Sequence, residues 1–128
     1  MDNKELIRIC EEFLGAWNTQ DVEKTVACYT EDLIYIDPNT RGPVKRRDAM
    51  RRYLAKLFAN WQMHWVLREA HAFRDMDGAA VRWHATFQKP GGGKTVECDG
   101  MDFAIMEGGK IKHNEVYFDR AILAPLLD

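Results

Sequence analysis

Two aspartates stand where this chain could move a proton. Asp37 closes an apolar run, Leu33 to Ile36, and precedes Pro38, which confines the residue before it to extended geometry. Asp37 therefore keeps the alternation of a strand and points the same way as Tyr35. A carboxylate turned toward an apolar interior has its pKa raised unless it finds partners, and proteins use that effect to make a base that works near neutrality. The other reading of Asp37 is a turn role, in which its side chain caps the loop that follows. Asp102 lies in a second alternating run, with Ala104 on its face and Met101, Phe103 and Ile105 on the opposite one. Whichever face is inward decides whether Asp102 is buried or solvated, and a slip of one residue exchanges the two.

The elements that must position these acids follow from periodicity. Leu6, Ile9, Cys10, Phe13, Leu14 and Trp17 recur at helical spacing after a capping box, Asp2 with Glu5. Asp21 can cap a short second helix bearing Val22, Val26 and Tyr29. After the strand ending at Asp37 comes a polar loop, Asn39 to Arg46. Asp48 then caps a third helix with Met50, Tyr53, Leu54, Leu57 and Phe58 on its inner side. From Gln62 the period changes from helix to sheet: Trp65 to Arg74, Ala79 to Gln88, Thr95 to Met106 and Ile111 to Phe118 read as strands separated by turn residues. Three helices, one early strand and a four-strand meander make an α+β arrangement, with the helices on one face of a curved antiparallel sheet.

Composition narrows the function. A chain of 128 residues fits one domain, 1–128, with 46% hydrophobic and 30% charged residues, as in soluble globular proteins. A net charge of −2 leaves no electrostatic footprint for nucleic acid, and no run is long and apolar enough for a membrane, so a cytoplasmic location is expected. Cys10, Cys28 and Cys98 are too few and too scattered for a disulfide framework or a zinc knuckle, and the four histidines have no ligand spacing, so no metal is expected. The basic stretch of Arg41, Lys45, Arg46, Arg47, Arg51 and Arg52 reads as a solvated helix face or as an attraction for an anionic substrate.

Taken in order, Trp17-Asn18-Thr19-Gln20-Asp21, Tyr29-Thr30-Glu31-Asp32, Ile36-Asp37-Pro38, Gly100-Met101-Asp102-Phe103, Gly109-Lys110-Ile111 and Tyr117-Phe118-Asp119 resemble the nuclear transport factor 2-like superfamily, in its branch of ketosteroid isomerases and SnoaL-like polyketide cyclases. The resemblance implies a cone-shaped cavity formed by the curved sheet around three N-terminal helices, as in cystatin-like folds. It implies Asp37 as a catalytic base that moves a proton beside a carbonyl. It also implies Asp102 as a protonated acid that donates to the enolate oxygen. Phe13 stands where those isomerases carry a tyrosine that shares the oxyanion, which shifts the expectation toward the cyclases. Phe13, Trp17, Tyr35, Tyr53, Trp83, Phe87, Asn114 and Phe118 would surround a small hydrophobic carbonyl compound, aromatic or polycyclic, with Val81, Ala85 and Val116 beside them. No cofactor is implied. His84, His113, Glu115 and Tyr117 fall on the outer face, where a homodimer contact is expected. The same fold also serves as a non-catalytic binding or interaction module.

Overall fold

Asp2 starts the first helix as its side chain predicts, accepting from the Glu5 amide at 2.8 Å. The computed structural model describes residues 2–127; Met1 and Asp128, the ends of the expected domain, lie outside the described residues. Helix α1 (Asn3–Thr19) turns Leu6, Ile9, Cys10, Phe13, Leu14 and Trp17 inward. Asp21 caps α2 (Val22–Val26) through the Lys24 amide. Helix α3 (Arg47–Asn60) begins differently from expectation: Arg46 holds the cap position at φ 74° without a side-chain capping bond. The Arg46 amide is committed to Leu33 O at 2.9 Å, which ties the helix start to the neighbouring strand. Asp48 sits in the first turn instead, where its charge suits the helix dipole.

Six strands form one sheet: β1 (Tyr29–Ile36), β2 (Val44–Lys45), β3 (Gln62–Ala72), β4 (Gly78–Gln88), β5 (Thr95–Glu107) and β6 (Lys110–Tyr117). Their order is β2-β1-β6-β5-β4-β3. The meander from β3 to β6 is antiparallel as expected, while β1 joins it by pairing parallel to β6, with Tyr35 opposite Asn114. That pairing brings the Asp37 end of β1 to the strand beside Asp102. Tyr29, placed by helical spacing on α2, instead opens β1; Ile111 N donates to Cys28 O and fixes the chain in the sheet one residue earlier.

Register shifts between Leu67 and Glu69 and between Ile105 and Met106 mark bulges, which bend a sheet. The concave face carries Trp65, Val81, Trp83, Ala85, Phe87, Asp102, Ala104 and Asn114, all buried, and α1 packs across it. A terminal 3₁₀ segment, Arg120–Leu126, buries Leu123 and Leu126. One glycine makes this packing possible. Gly100 pairs with Trp83, and a Cβ there would lie 2.4 Å from the Trp83 ring. The indole lies flat across β5 only because position 100 has no side chain.

Candidate active site

Both aspartates are inside. Asp37 is 8% exposed and Asp102 3%. Asp37 leaves β1 as the chain turns, so each of its oxygens meets a different environment. Oδ1 accepts from the Asn39 amide at 2.7 Å and the Thr40 amide at 3.0 Å, the turn role in its plainest form. Oδ2 accepts from the Tyr35 hydroxyl at 2.7 Å and from the Tyr53 hydroxyl. The two readings of Asp37 thus coexist on its two oxygens. Burial and the Asp37 charge push Tyr35 and Tyr53 well above the ordinary phenol range, so both hydroxyls stay protonated and donate.

Asp102 is in mid-strand, where neighbouring amides are committed to the ladder. Its one hydrogen bond comes from Trp83 Nε1 to Oδ1 at 3.2 Å. Burial pushes its pKa up to about 7, against smaller opposing effects of Trp83 and Asn114, and the Asp37 charge adds to the rise. Near neutrality this carboxyl is therefore poised between proton donor and acceptor.

A relay of side chains reaches Asp102 from α1. The indole of Trp17, which can only donate, bonds the Tyr29 hydroxyl at 3.2 Å. The Tyr29 hydroxyl in turn donates to Asn114 Oδ1 at 2.7 Å. This polarity turns Asn114 Nδ2 toward Asp102, where it steadies the carboxylate without closing a hydrogen bond. Trp65 Nε1 is a second buried donor without a partner. Both residues line a small cavity together with Phe13, Trp17, Tyr35, Trp83 and Asp102, with about 20 Å³ open to water centres. That is space for one oxygen atom and little more.

The structure divides the expected ligand residues. Phe13, Trp17, Tyr35, Trp83 and Asn114 border the small cavity. Tyr53 borders a separate groove of about 550 Å³ between the Asp37 loop and α3. Phe87 and Phe118 border neither; their rings pack 5.6 Å apart and against Trp65 and Trp83, filling the cone. Tyr35 and Tyr53, with ring centroids 5.5 Å apart and both hydroxyls on one Asp37 oxygen, form the partition between cavity and groove. Two residues of this centre lie outside the expected ligand set. Tyr29 was hidden by the helical spacing of α2. Trp65 was legible in principle, because pairing Trp65 with Ala85 puts it on the face of Trp83 and Phe87.

The histidines lie elsewhere. His84 bridges Glu97 and Asp99, each at 2.8 Å, on the outer face, and these two carboxylates raise its pKa. His113 contacts Glu115 at 2.9 Å on the same side. Among the described residues no group of three or more His, Cys, Asp or Glu side chains is placed to hold a metal. The three cysteines are unpaired, and burial pushes Cys10 up to about 11. No helix among the described residues is long and apolar enough to cross a membrane.

A curved six-stranded sheet with helices on its concave side and an acid on each of β5 and the end of β1 defines a cone of the nuclear transport factor 2-like, cystatin-like type. The model of the SnoaL-like domain matches residues 10–114, and the chain belongs to that family. Among solved structures it is similar to the epoxide hydrolase/cyclase-like enzyme SalBIII of pyran ring formation in polyether salinomycin. The two are 22% identical, with 94% of this chain and 95% of that one covered and a TM-score of 0.80. A putative polyketide cyclase from Pseudomonas putida is 17% identical, with 91% and 93% covered and a TM-score of 0.78. A hypothetical protein of ketosteroid isomerase-like fold from Catenulispora acidiphila, in complex with trimethylamine, is 16% identical, with 91% and 89% covered and a TM-score of 0.79. At these identities the likeness is one of fold. No curated protein matches the chain.

Proposed function

We propose that the protein is a cofactor-independent enzyme that moves a proton on a small hydrophobic carbonyl compound, as in isomerisation or aldol-type cyclisation. The observation that carries this reading is the oxygen-sized cavity bordered by Asp102 and by two buried donors without partners, Trp65 Nε1 and Asn114 Nδ2. Three donors around one oxygen's worth of space suit a carbonyl that becomes an enolate. Trp65 and Asn114 would supply what Phe13 cannot. Asp37 is the base. The substrate carbon gives its proton to the Tyr53 oxygen as the Tyr53 proton passes to Asp37 Oδ2. Asp102 holds the enolate oxygen; the proton then returns from Asp37 through Tyr53 to a different carbon, or the enolate carbon attacks a second carbonyl and the alkoxide so formed takes that proton. Entry of the substrate parts Tyr35 from Tyr53 and joins groove to cavity. The outer face of the sheet, with Met101, Phe103 and Ile105 half-buried beside His84 and Tyr117, is the proposed homodimer surface.

A second reading, a binding module without catalysis, is favoured by how little space the aromatic side chains leave beside Asp102. Deuterium exchange at the carbon next to the carbonyl of beta-tetralone, followed by NMR, separates the two. The enzyme exchanges it above the buffer rate, and Asp37→Asn loses about 10² to 10⁴ of that rate. Binding with no exchange above buffer leaves the module.

A further inference from the structure

The groove beside Tyr53 is far roomier than the cavity beside Asp102, and its charge is one-sided. Arg41, Lys56, Lys89 and Arg120 border it along with apolar Leu57 and Trp61, and no Asp or Glu among the described residues does. This is the reverse of the chain as a whole, whose net charge is −2. Much of the basic run visible in the sequence is spent elsewhere. Arg46 and Arg47 face Glu31, and Arg51 is held by Glu23 and Asp48. Of that run only Arg41 reaches the groove; the other three cations arrive from α3, from the end of β4 and from the terminal segment.

None of the four groove cations is ion-paired among the described residues. Two of them are nonetheless held in place by neutral partners. Lys89 Nζ stands 4.4 Å from the centre of the Trp61 ring, and Arg120 Nε donates to Asn39 Oδ1 at 2.8 Å. Four like charges gathered around a concave, partly apolar surface repel one another, and an anion relieves that repulsion. A volume of about 550 Å³ is that of a small-molecule site.

We infer that the groove binds an amphipathic anion, with an apolar or aromatic body along Leu57 and Trp61 and a carboxylate or phosphate held by Arg41, Lys56, Lys89 and Arg120. Because Tyr53 joins the groove to Asp37, this ligand is the substrate class of the proton-transfer site. That link rests on the proposed function, whereas the binding itself is measured apart from it.

Calorimetric titration of the intact chain with naphthylacetate, naphthyl phosphate and the neutral naphthaleneethanol tests the inference. Both anions are expected to bind at least about tenfold more tightly than the alcohol and to weaken as salt rises. Whichever anion binds better identifies the headgroup. The double variant Arg41→Gln/Lys89→Gln loses about tenfold or more for the anions, while Lys45→Gln/Arg52→Gln, with the same charge change on exposed residues outside the groove, changes them less than about twofold. Equal binding of alcohol and anions overturns the inference, as does equal weakening by the two double variants. Deuterium exchange of beta-tetralone without anion binding sinks this inference alone. Anion binding without exchange sinks the catalytic reading alone.

Discussion

Asp37 and Asp102 are the same residue type in one core, yet Asp37 accepts four hydrogen bonds and Asp102 one. Position in the chain explains the difference. Asp37 ends a strand, so the turn beyond it offers two free backbone amides, and a helix and the strand itself each offer a tyrosine. Asp102 is in mid-strand, between residues whose amides already serve the ladder. Burial costs both carboxylates their water, but only Asp37 recovers it in donors. At Asp102 the uncompensated part appears as a pKa of about 7. Two acids in one interior are thereby divided into an acceptor and a group that can donate.

The same substitution at both positions tests that division most strongly. Asp37→Asn replaces one acceptor oxygen by an NH₂ that faces either two tyrosine hydroxyls or two backbone amides. Two buried donors lose their acceptor, and urea unfolding should show a loss of about 3 to 5 kcal/mol. Asp102→Asn keeps an oxygen for Trp83 and removes a poorly solvated charge. The folded protein holds the Asp102 proton that the unfolded chain releases, so this group's stability is full below about pH 4 and is lost as pH rises to about 7. A shift of this size corresponds to about 4 kcal/mol, so Asp102→Asn should gain about 2 to 4 kcal/mol at pH 8 and almost nothing at pH 4. If both variants lose stability equally at pH 8, the two environments are not opposed.

Part of this arrangement is legible in the sequence alone. Asp37 beside Tyr35 follows from the two-residue period of strands and the restriction before Pro38, whereas that period leaves either face of β5 free to be the inner one, and only the family resemblance turns Asp102 inward and His84 and His113 outward. What was hidden involves partners distant in sequence. No local pattern shows that β1 runs parallel to β6, yet that pairing delivers Asn114 to Tyr29. Nor does composition reveal that Phe87 and Phe118 fill the cone, since packing density depends on how rings interlock in three dimensions. The basic run was readable as a charged face, but its partners were not. Arg46, Arg47 and Arg51 find carboxylates on β1, α2 and α3, whereas Arg41 joins three cations from other segments at the groove.

Gly100→Ala addresses the one hydrogen bond that Asp102 accepts among the described residues. A methyl group at position 100 cannot coexist with the present Trp83 ring, and Trp83 is the only donor to Asp102 among the described residues. Overpacking of this kind costs about 1 to 3 kcal/mol, measurable by urea unfolding. Displacing Trp83 also removes the bond that favours the carboxylate, so the Asp102 midpoint, followed by carbon NMR of its side chain, should rise above about 7. A lower midpoint would mean that Trp83 does not stabilise the anion.

The smallest expected effect isolates the relay. Tyr29→Phe leaves the ring in the core but removes the hydroxyl between Trp17 and Asn114, at about 1 to 2 kcal/mol of stability. Its more informative consequence is directional. With no proton arriving at Oδ1, the Asn114 amide is free to flip, and its oxygen rather than its nitrogen then faces Asp102. An acceptor beside a carboxyl favours the protonated form, so the Asp102 midpoint should rise by about half a unit to one unit. Tyr35→Phe removes a hydroxyl of the same kind from Asp37 and leaves the relay intact. The Asp102 midpoint should therefore move more with Tyr29→Phe than with Tyr35→Phe, although both remove one buried hydroxyl. The reverse order would place the control of Asp102 in the charge of Asp37 rather than in the polarity that begins at Trp17.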